Sequence, residues 1–386
     1  MGNSALITPR VLTWAREQLD MSLGEASEYL KVEPEKLRLW ENGSKHPTIC
    51  QAKNIAKKYK IPYVFFYLPE PPQNIKLPRN QDYRTFANQR SGKFSIALKT
   101  LLFDIMQRRE ALIQLKKELA TDIPPFSYFS DIQTADINDI AILIRKAVGL
   151  PKSTIFKTDY EAFNYFRAEL EKIGILVFQA VNVDLSEMRG VSVYEDTYPI
   201  IAVNRNDSPH ARVFTLFHEL AHLITRTAGI CDNRGMSEAS NIDIEKTCSR
   251  IAARVLVPED ALRESAGYKN LMGIWDDVCV RDIANGFSVS REVILGRLLE
   301  LNDISFDFYS RKMIQYSDEF YINRQKRKPG GYLPPSTDKE TQLGRVYIGT
   351  VLTAYNKDVI TARDAIQYFE GLKLKHFEKL EQWCFA

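Results

Sequence analysis

Val213-Phe214-Thr215-Leu216-Phe217-His218-Glu219-Leu220-Ala221-His222-Leu223-Ile224 is the stretch on which the reading of this chain turns. Its apolar residues predict a buried helix over 211–225, and within it stands a His-Glu-x-x-His motif, His218 to His222. Residues four apart are neighbours on a helix, offset by roughly 40° in azimuth and about 6 Å along the axis. Both imidazoles can therefore address one ion, with Glu219 projecting beside them. Five histidines in 386 residues make about 0.004 such motifs expected by chance. A buried Glu with two His also needs a reason to be there.

Zinc favours neutral imidazole nitrogens and, in catalytic sites, three protein ligands with a fourth position open to water. The pKa of that water falls toward ~7, and Glu219 is placed to take its proton and pass it to a leaving amine. A third ligand must come from elsewhere. Glu245 opens a predicted helix over 242–256 that ends before Pro258, and Ser249, Ala252 and Ala253 give that face small residues for close packing. The alternative to Glu245 as a ligand is Glu245 as a first-turn acid favoured by the helix dipole, and Asp243 and Glu238 are competing ligands.

Further out, the chain reads as globular: 45% hydrophobic, 26% charged, net charge +3. That charge excludes a polybasic protein, and no uncharged stretch approaches the ~18 residues of a membrane span. The N-terminus lacks an apolar signal core, and the five cysteines form no CxxC pair, so a reducing cytoplasm is expected and a disulfide scaffold is not. Four stretches are expected: a helical unit over 1–70, a basic connector and long helix over 71–125, the metal domain over 126–302, and a helical region of unassigned role over 303–386. Long-helix periodicity covers 95–120, and helices are predicted over 139–148 (N-cap Asn138), 160–172 and 290–301. Short β-branched or aromatic runs predict strands over 173–178, 191–194 and 199–203. After 302 the chain is expected to begin irregularly, pass a basic Gly/Pro-punctuated run at 324–331, and finish in helices over 344–357 and 360–369. The fold class is thus α+β, predominantly helical.

The sequence resembles the ImmA/IrrE family of zinc metallopeptidases, many of which carry a Cro/C1-type helix-turn-helix. Besides HELAH, the resemblance rests on Ile173-Gly174-Ile175-Leu176-Val177-Phe178, on Pro199-Ile200-Ile201-Ala202-Val203-Asn204 and on Arg212-Val213-Phe214-Thr215. It continues in the run from Glu245 to Pro258, in Phe287-Ser288-Val289-Ser290 and in Arg297-Leu298. It covers roughly 75–300 and implies a zincin-like domain binding one zinc through His218, His222 and Glu245. Cys248-Ser249 departs from the usual Ala-Asn of the family, a change expected to touch packing more than chemistry.

In peptidases of this type an edge strand binds the substrate as an added strand, which would give the 199–204 strand, with Ile200 and Ala202, that role; an ordinary internal strand is the alternative. His210, Arg212 and Tyr268 are oxyanion-donor candidates by proximity in sequence alone, with His210 also readable as a surface-loop residue. At the N-terminus, helices over 12–18, 23–30, 34–41 and 52–59 surround Trp40-Glu41-Asn42-Gly43, then Pro47-Thr48, which resembles the Cro/C1 signature. Helix 34–41 would enter the major groove, with Lys36, Arg38 and Lys45 as DNA contacts. Yet Glu33 and Glu35 stand at its reading end, and residues 1–70 carry 10 basic against 8 acidic groups, a weak footprint. A protein partner is the competing reading.

Two functions follow. One is a zinc endopeptidase cleaving a regulatory protein, a Cro/C1-type repressor as the resemblance implies. The other is a DNA-binding regulator, or a toxin–antitoxin or defence component, whose metal domain is a sensor with little hydrolytic activity. The intact base beside an open coordination position favours the first.

Overall fold

The computed structural model describes residues 3–19, 21–72, 94–129, 136–151, 156, 158–227, 238–269, 275–326 and 333–385. The chain falls into two compact units, Met1–Arg108 and Arg109–Ala386. It is mostly helical with one small sheet. Among the described residues, no helix is long and apolar enough to cross a membrane.

The first unit holds α1 (Pro9–Gln18), α2 (Leu23–Leu30), α3 (Pro34–Glu41), α4 (Ile49–Lys58) and a 3-10 turn (Tyr63–Tyr67). Proline stands in the first turn of α1 and α3, where its missing N–H costs nothing. Ser22 with Glu25 and Thr48 with Gln51 close capping boxes on α2 and α4. These signals set the true starts: α1 begins at Pro9 and α4 at Ile49, three residues before the periodicity alone suggests. Val11, Leu12, Leu37, Trp40, Ile55 and Phe66 form the core. Arg16 clamps α3 through a two-pronged bond to Glu41 at 2.8 and 3.0 Å. The helix α5 (Ile96–Glu118) contains the division between the units.

In the second unit come α6 (Ile137–Ala147), α7 (Asp159–Lys172), β1 (Leu176–Ala180), β2 (Gly190–Val193), β3 (Ile200–Asn204), α8 (Pro209–Thr227) and α9 (Glu238–Leu256). Asp136, rather than Asn138, caps α6, its carboxylate accepting from the Asn138 and Asp139 amides. The first expected strand loses its opening residues to a turn, because Ile173 ends α7 and Gly174 takes φ +87°. The sheet order is β1-β3-β2, with β1 parallel and β2 antiparallel to β3. Every residue of β3 is buried. The strand 199–204 is therefore internal, and Ile200 and Ala202 sit in the core with partners on both sides, which removes them as a substrate edge. Helix α8 packs across β2 and β3 and against α7 and α9. Phe163, Phe166, Ile201, Leu216, Phe217, Ile251 and Val255 fill the space between.

Beyond α9 run α10 (Glu259–Glu264), α11 (Ala266–Lys269), α12 (Asp277–Gly286), α13 (Arg291–Glu300), α14 (Phe306–Lys326), α15 (Pro335–Leu343), α16 (Arg345–Asn356), α17 (Ala362–Tyr368) and α18 (Phe377–Phe385). The expectation of an irregular start after 302 fails: α14 occupies 21 residues there. Its apolar residues are interleaved with charges, which hides the helical period. Of the basic run, 324–326 end α14 and 327–331 lie outside the described residues, as does most of the basic connector, 73–93. The polar helix α15 lies on β1, whose Val177 carbonyl faces away from β3 and accepts from Arg167. Arg167 also donates to the carbonyls of Glu340 and Thr341, and Glu171 accepts from the Arg345 and Val346 amides that open α16. The buried pair Arg167–Glu171 thus anchors the C-terminal helices to α7 and the sheet.

Candidate metal centre

Helix α8 carries His218, Glu219 and His222; α9 brings Glu245 to them. His218 Nε2 lies 3.1 Å from Glu245 Oε2 and 3.1 Å from His222 Nε2. His222 Nε2 lies 3.4 Å from Glu245 Oε1. A tetrahedral ion with bonds of about 2.0–2.1 Å has ligand atoms roughly 3.3–3.4 Å apart, so the three side chains stand close to the spacing one ion requires. Two imidazoles and a carboxylate are a donor set that suits zinc. The three side chains retain 15–22% of their exposure, enough to leave one side of the cluster accessible.

Because α9 begins at Glu238, Glu245 sits two turns inside the helix and is no first-turn acid. Asp243 is exposed and outside the cluster, and the side chain of Glu238 lies outside the described residues. Burial opposes charge on both partners here, yet their contact prevails. The Cys248 sulfur and the Glu245 carboxylate push His222 up to about 11 against that burial, and the imidazoles hold Glu245 well below the usual carboxylate range.

Glu219 contacts the sheet. It is buried, and the Ser192 hydroxyl of β2 donates to its Oε2 at 2.8 Å. Gly190 makes this approach feasible: a Cβ there would stand 2.3 Å from Thr215 Cγ2 and 2.8 Å from Glu219 Oε1. The carboxylate is therefore held at one oxygen, one residue along the helix from His218.

The outer faces of the imidazoles are also occupied. Ser249 Oγ lies 3.3 Å from His218 Nδ1, and Cys248 Sγ lies 3.5 Å from His222 Nδ1. Positions 245, 248 and 249 are related by i, i+3 and i+4, so one face of α9 meets the histidine face of α8. The Cys248-Ser249 departure thus reaches the imidazoles themselves, where it was expected to touch packing more than chemistry. Ser192 and Gly190 went unassigned in the sequence, whereas Ser249 was reached by helical spacing from Glu245 and Cys248-Ser249 stood out as a departure from the family pattern.

The oxyanion candidates His210 and Arg212 fall away from the centre. His210 lies in the first turn of α8, eight residues or about 12 Å along the axis from His218, half-buried and not in a surface loop. Arg212 is buried, donates to Gln179 Oε1 at 2.6 Å and lies over the rings of Tyr160 and Phe163. The Tyr268 hydroxyl donates to Asp303 and accepts from Arg263. In the first unit, Lys36, Arg38 and Lys45 are all exposed on α3 and the loop after it. Lys36 lies 5.5 Å from the Trp40 ring centre, and Arg38 stands 3.7 Å from Glu35, so the acid at that end shares the cation's field.

No curated protein matches the chain. A solved structure described as a Mycobacterium tuberculosis transcriptional regulator resembles it at 18% identity, over 45% of this chain and 49% of that one, with a TM-score of 0.30. The chain spans about half the length of that protein. The profile of the family Peptidase_M78, described as the IrrE N-terminal-like domain, matches residues 170–299, a span that begins at the end of α7, runs through α13 and contains every residue of the centre. Residues 170–299 therefore carry an IrrE N-terminal-like, Peptidase_M78 domain.

Proposed function

We propose that this chain is a zinc-dependent endopeptidase that cleaves a regulatory protein, with residues 1–70 serving as its recognition module. The observation that carries the reading is Glu219: a buried carboxylate held by Ser192 beside a three-ligand cluster, a group that a purely structural metal site has no need of. Zinc bound by His218, His222 and Glu245 would supply Lewis acidity, polarising a peptide carbonyl and acidifying a water for attack near neutral pH. Glu219 takes the proton of the attacking water and delivers it to the leaving amine. The Ser192 hydroxyl holds one of the Glu219 oxygens, which limits the rotation of the carboxylate.

Strand β2 supplies the substrate rail. Asn204 N donates to Arg189 O, and the antiparallel alternation then pairs 191 and 193 with β3. The backbone groups of Gly190 and Ser192 point away from β3, and among the described residues no strand lies on that side. An extended peptide adding there would lie directly beside Glu219. A regulatory protein, a Cro/C1-type repressor or an antitoxin-like protein, is the substrate class that the family resemblance favours.

The competing reading is a DNA-binding regulator with a sensing metal domain. It draws on the exposed Lys36, Arg38 and Lys45, and is weakened by Glu33 and Glu35 on the same helix end. Co-expression of a candidate repressor separates the two. Wild type should fragment it while Glu219→Gln, still loaded with metal, should not; equal partner levels and fragments with both would end the peptidase reading. A salt-dependent gel shift on the chain's own upstream DNA tests the alternative.

A further inference from the structure

We infer that Ser249 and Cys248 are positioning residues that set the tautomer of the two histidines, turning both Nε2 atoms toward one ion. The inference rests on the metal-site reading above, but not on hydrolysis.

A neutral imidazole carries one proton, on either Nδ1 or Nε2, and only the unprotonated nitrogen can bind a metal. Here the two Nε2 atoms converge with Glu245, so with an ion bound between them each Nδ1 must keep its proton. A buried N–H needs an acceptor, and metal-binding histidines ordinarily find a carboxylate, a carbonyl or a water. In this chain the acceptors are a hydroxyl, Ser249 Oγ at 3.3 Å from His218 Nδ1, and a thiol, Cys248 Sγ at 3.5 Å from His222 Nδ1. Both come from the helix that also delivers Glu245, one turn further on. A single rigid helix face thus supplies the carboxylate and orients the other two ligands. Phe214 stacks on the His218 ring at 6.2 Å between centroids and 30° between planes, limiting its rotation.

The arrangement also orders the two contacts by strength. A hydroxyl oxygen is a good acceptor and a thiol sulfur a weak one. Ser249 should therefore matter more than Cys248. Cys248 is fully buried, so its substitution must keep volume as well as remove the acceptor.

The test is zinc affinity of the full chain by competition with a chelator, with the visible spectrum of the cobalt(II)-loaded protein. Ser249→Ala should bind zinc about ten- to a hundredfold more weakly, and Cys248→Val several-fold up to about tenfold more weakly. Ser249→Thr and Cys248→Ser, which keep an acceptor, should bind within about twofold of wild type on the same scale. The thermal melt of the metal-free variants should match wild type, which a merely structural role would not predict. If Ser249→Ala and Cys248→Val bind zinc as tightly as wild type while His218→Ala does not bind, the positioning role is wrong and the metal centre stands. If His218→Ala also binds normally, the metal-site reading itself fails. A thiolate-to-cobalt charge-transfer band that disappears in Cys248→Ser would make Cys248 a ligand and overturn the inference.

Discussion

The hydroxyl of Ser192 donates to Glu219 Oε2 at 2.8 Å, joining the outer strand of the sheet to the carboxylate of the metal helix at a single atom. A hydrogen bond there orients Glu219, the proposed base, without involving the proposed ligands. Ser192→Ala should therefore lower kcat on a cleaved partner by about tenfold to a hundredfold, the range a small misplacement of a reacting group produces, with KM and metal content little changed. Loss of bound metal in this variant would contradict the assignment.

Metal content separates ligands from base. His218→Ala, His222→Ala and Glu245→Ala should each lose the ion on dialysis, and Glu219→Gln should keep it, at about one per chain. Elemental analysis of the four proteins decides the matter, and retention by Glu245→Ala would mean that the third ligand lies elsewhere.

Gly190 is needed for the approach of β2 to α8. A methyl at this position meets Thr215 Cγ2 at 2.3 Å and Glu219 Oε1 at 2.8 Å. Gly190→Ala should destabilise the protein by about 1–3 kcal/mol, the usual range for overpacking, measured as a fall in the urea midpoint. Adding Thr215→Ser removes the closest atom and should recover part of that loss.

The C-terminal helices hang on a buried ion pair. Arg167 and Glu171 are both almost fully buried, and together they bond the Val177, Glu340 and Thr341 carbonyls and two amides at the start of α16. Removing one member leaves the other charged, desolvated and unpaired. Arg167→Ala should cost about 3–5 kcal/mol, and limited proteolysis should then release the 333–385 segment before the rest unfolds. A variant as stable as wild type would show that these helices do not depend on the pair.

Acid should act partly through Asp277. The Tyr316 hydroxyl donates to it at 2.6 Å and, with burial opposing, Lys312 and Gln315 add bonds at 2.9 and 3.0 Å, which holds its carboxyl down at about 2. A folded pKa below the unfolded value of about 3.9 contributes stability above pH ~4 and loses it as pH falls toward 2. The side chain is 37% exposed, so the contribution should be no more than about 1 kcal/mol. Urea midpoints between pH 5 and pH 2.5 should fall less steeply in Asp277→Asn than in wild type.

Much of the centre was legible because its information is local. His218 and His222 lie one helical turn apart, and any helix through 213–224 puts them on one face whatever it packs against. Glu245 was legible as a candidate because small residues at 249, 252 and 253 mark a face for close helix packing. The role of β3 was also within reach: Ile200-Ile201-Ala202-Val203 is uninterruptedly apolar, as a strand covered on both faces must be, whereas Gly190-Val191-Ser192-Val193 alternates. The alternation marked a strand with one face less covered, and β2 is the edge of the sheet opposite β1. Helix α15 was hidden because it docks through polar groups, Ser336 and Gln342 among them, and carries no apolar stripe.

By itself, then, the sequence determined the helical spacing of the histidines, the carboxylate between them, a short list of third ligands and a predominantly helical α+β fold, all of which depend on residues within a few turns of one another. Only the tertiary structure decided that Glu245 is the carboxylate beside both imidazoles, that Ser192 holds Glu219, and that Ser249 and Cys248 face the Nδ1 atoms. Those contacts join residues 23 to 31 positions apart for the α8–α9 pairs and 27 for Ser192–Glu219. They are set by how α9 and β2 pack on α8, and no periodicity within a single element encodes that packing.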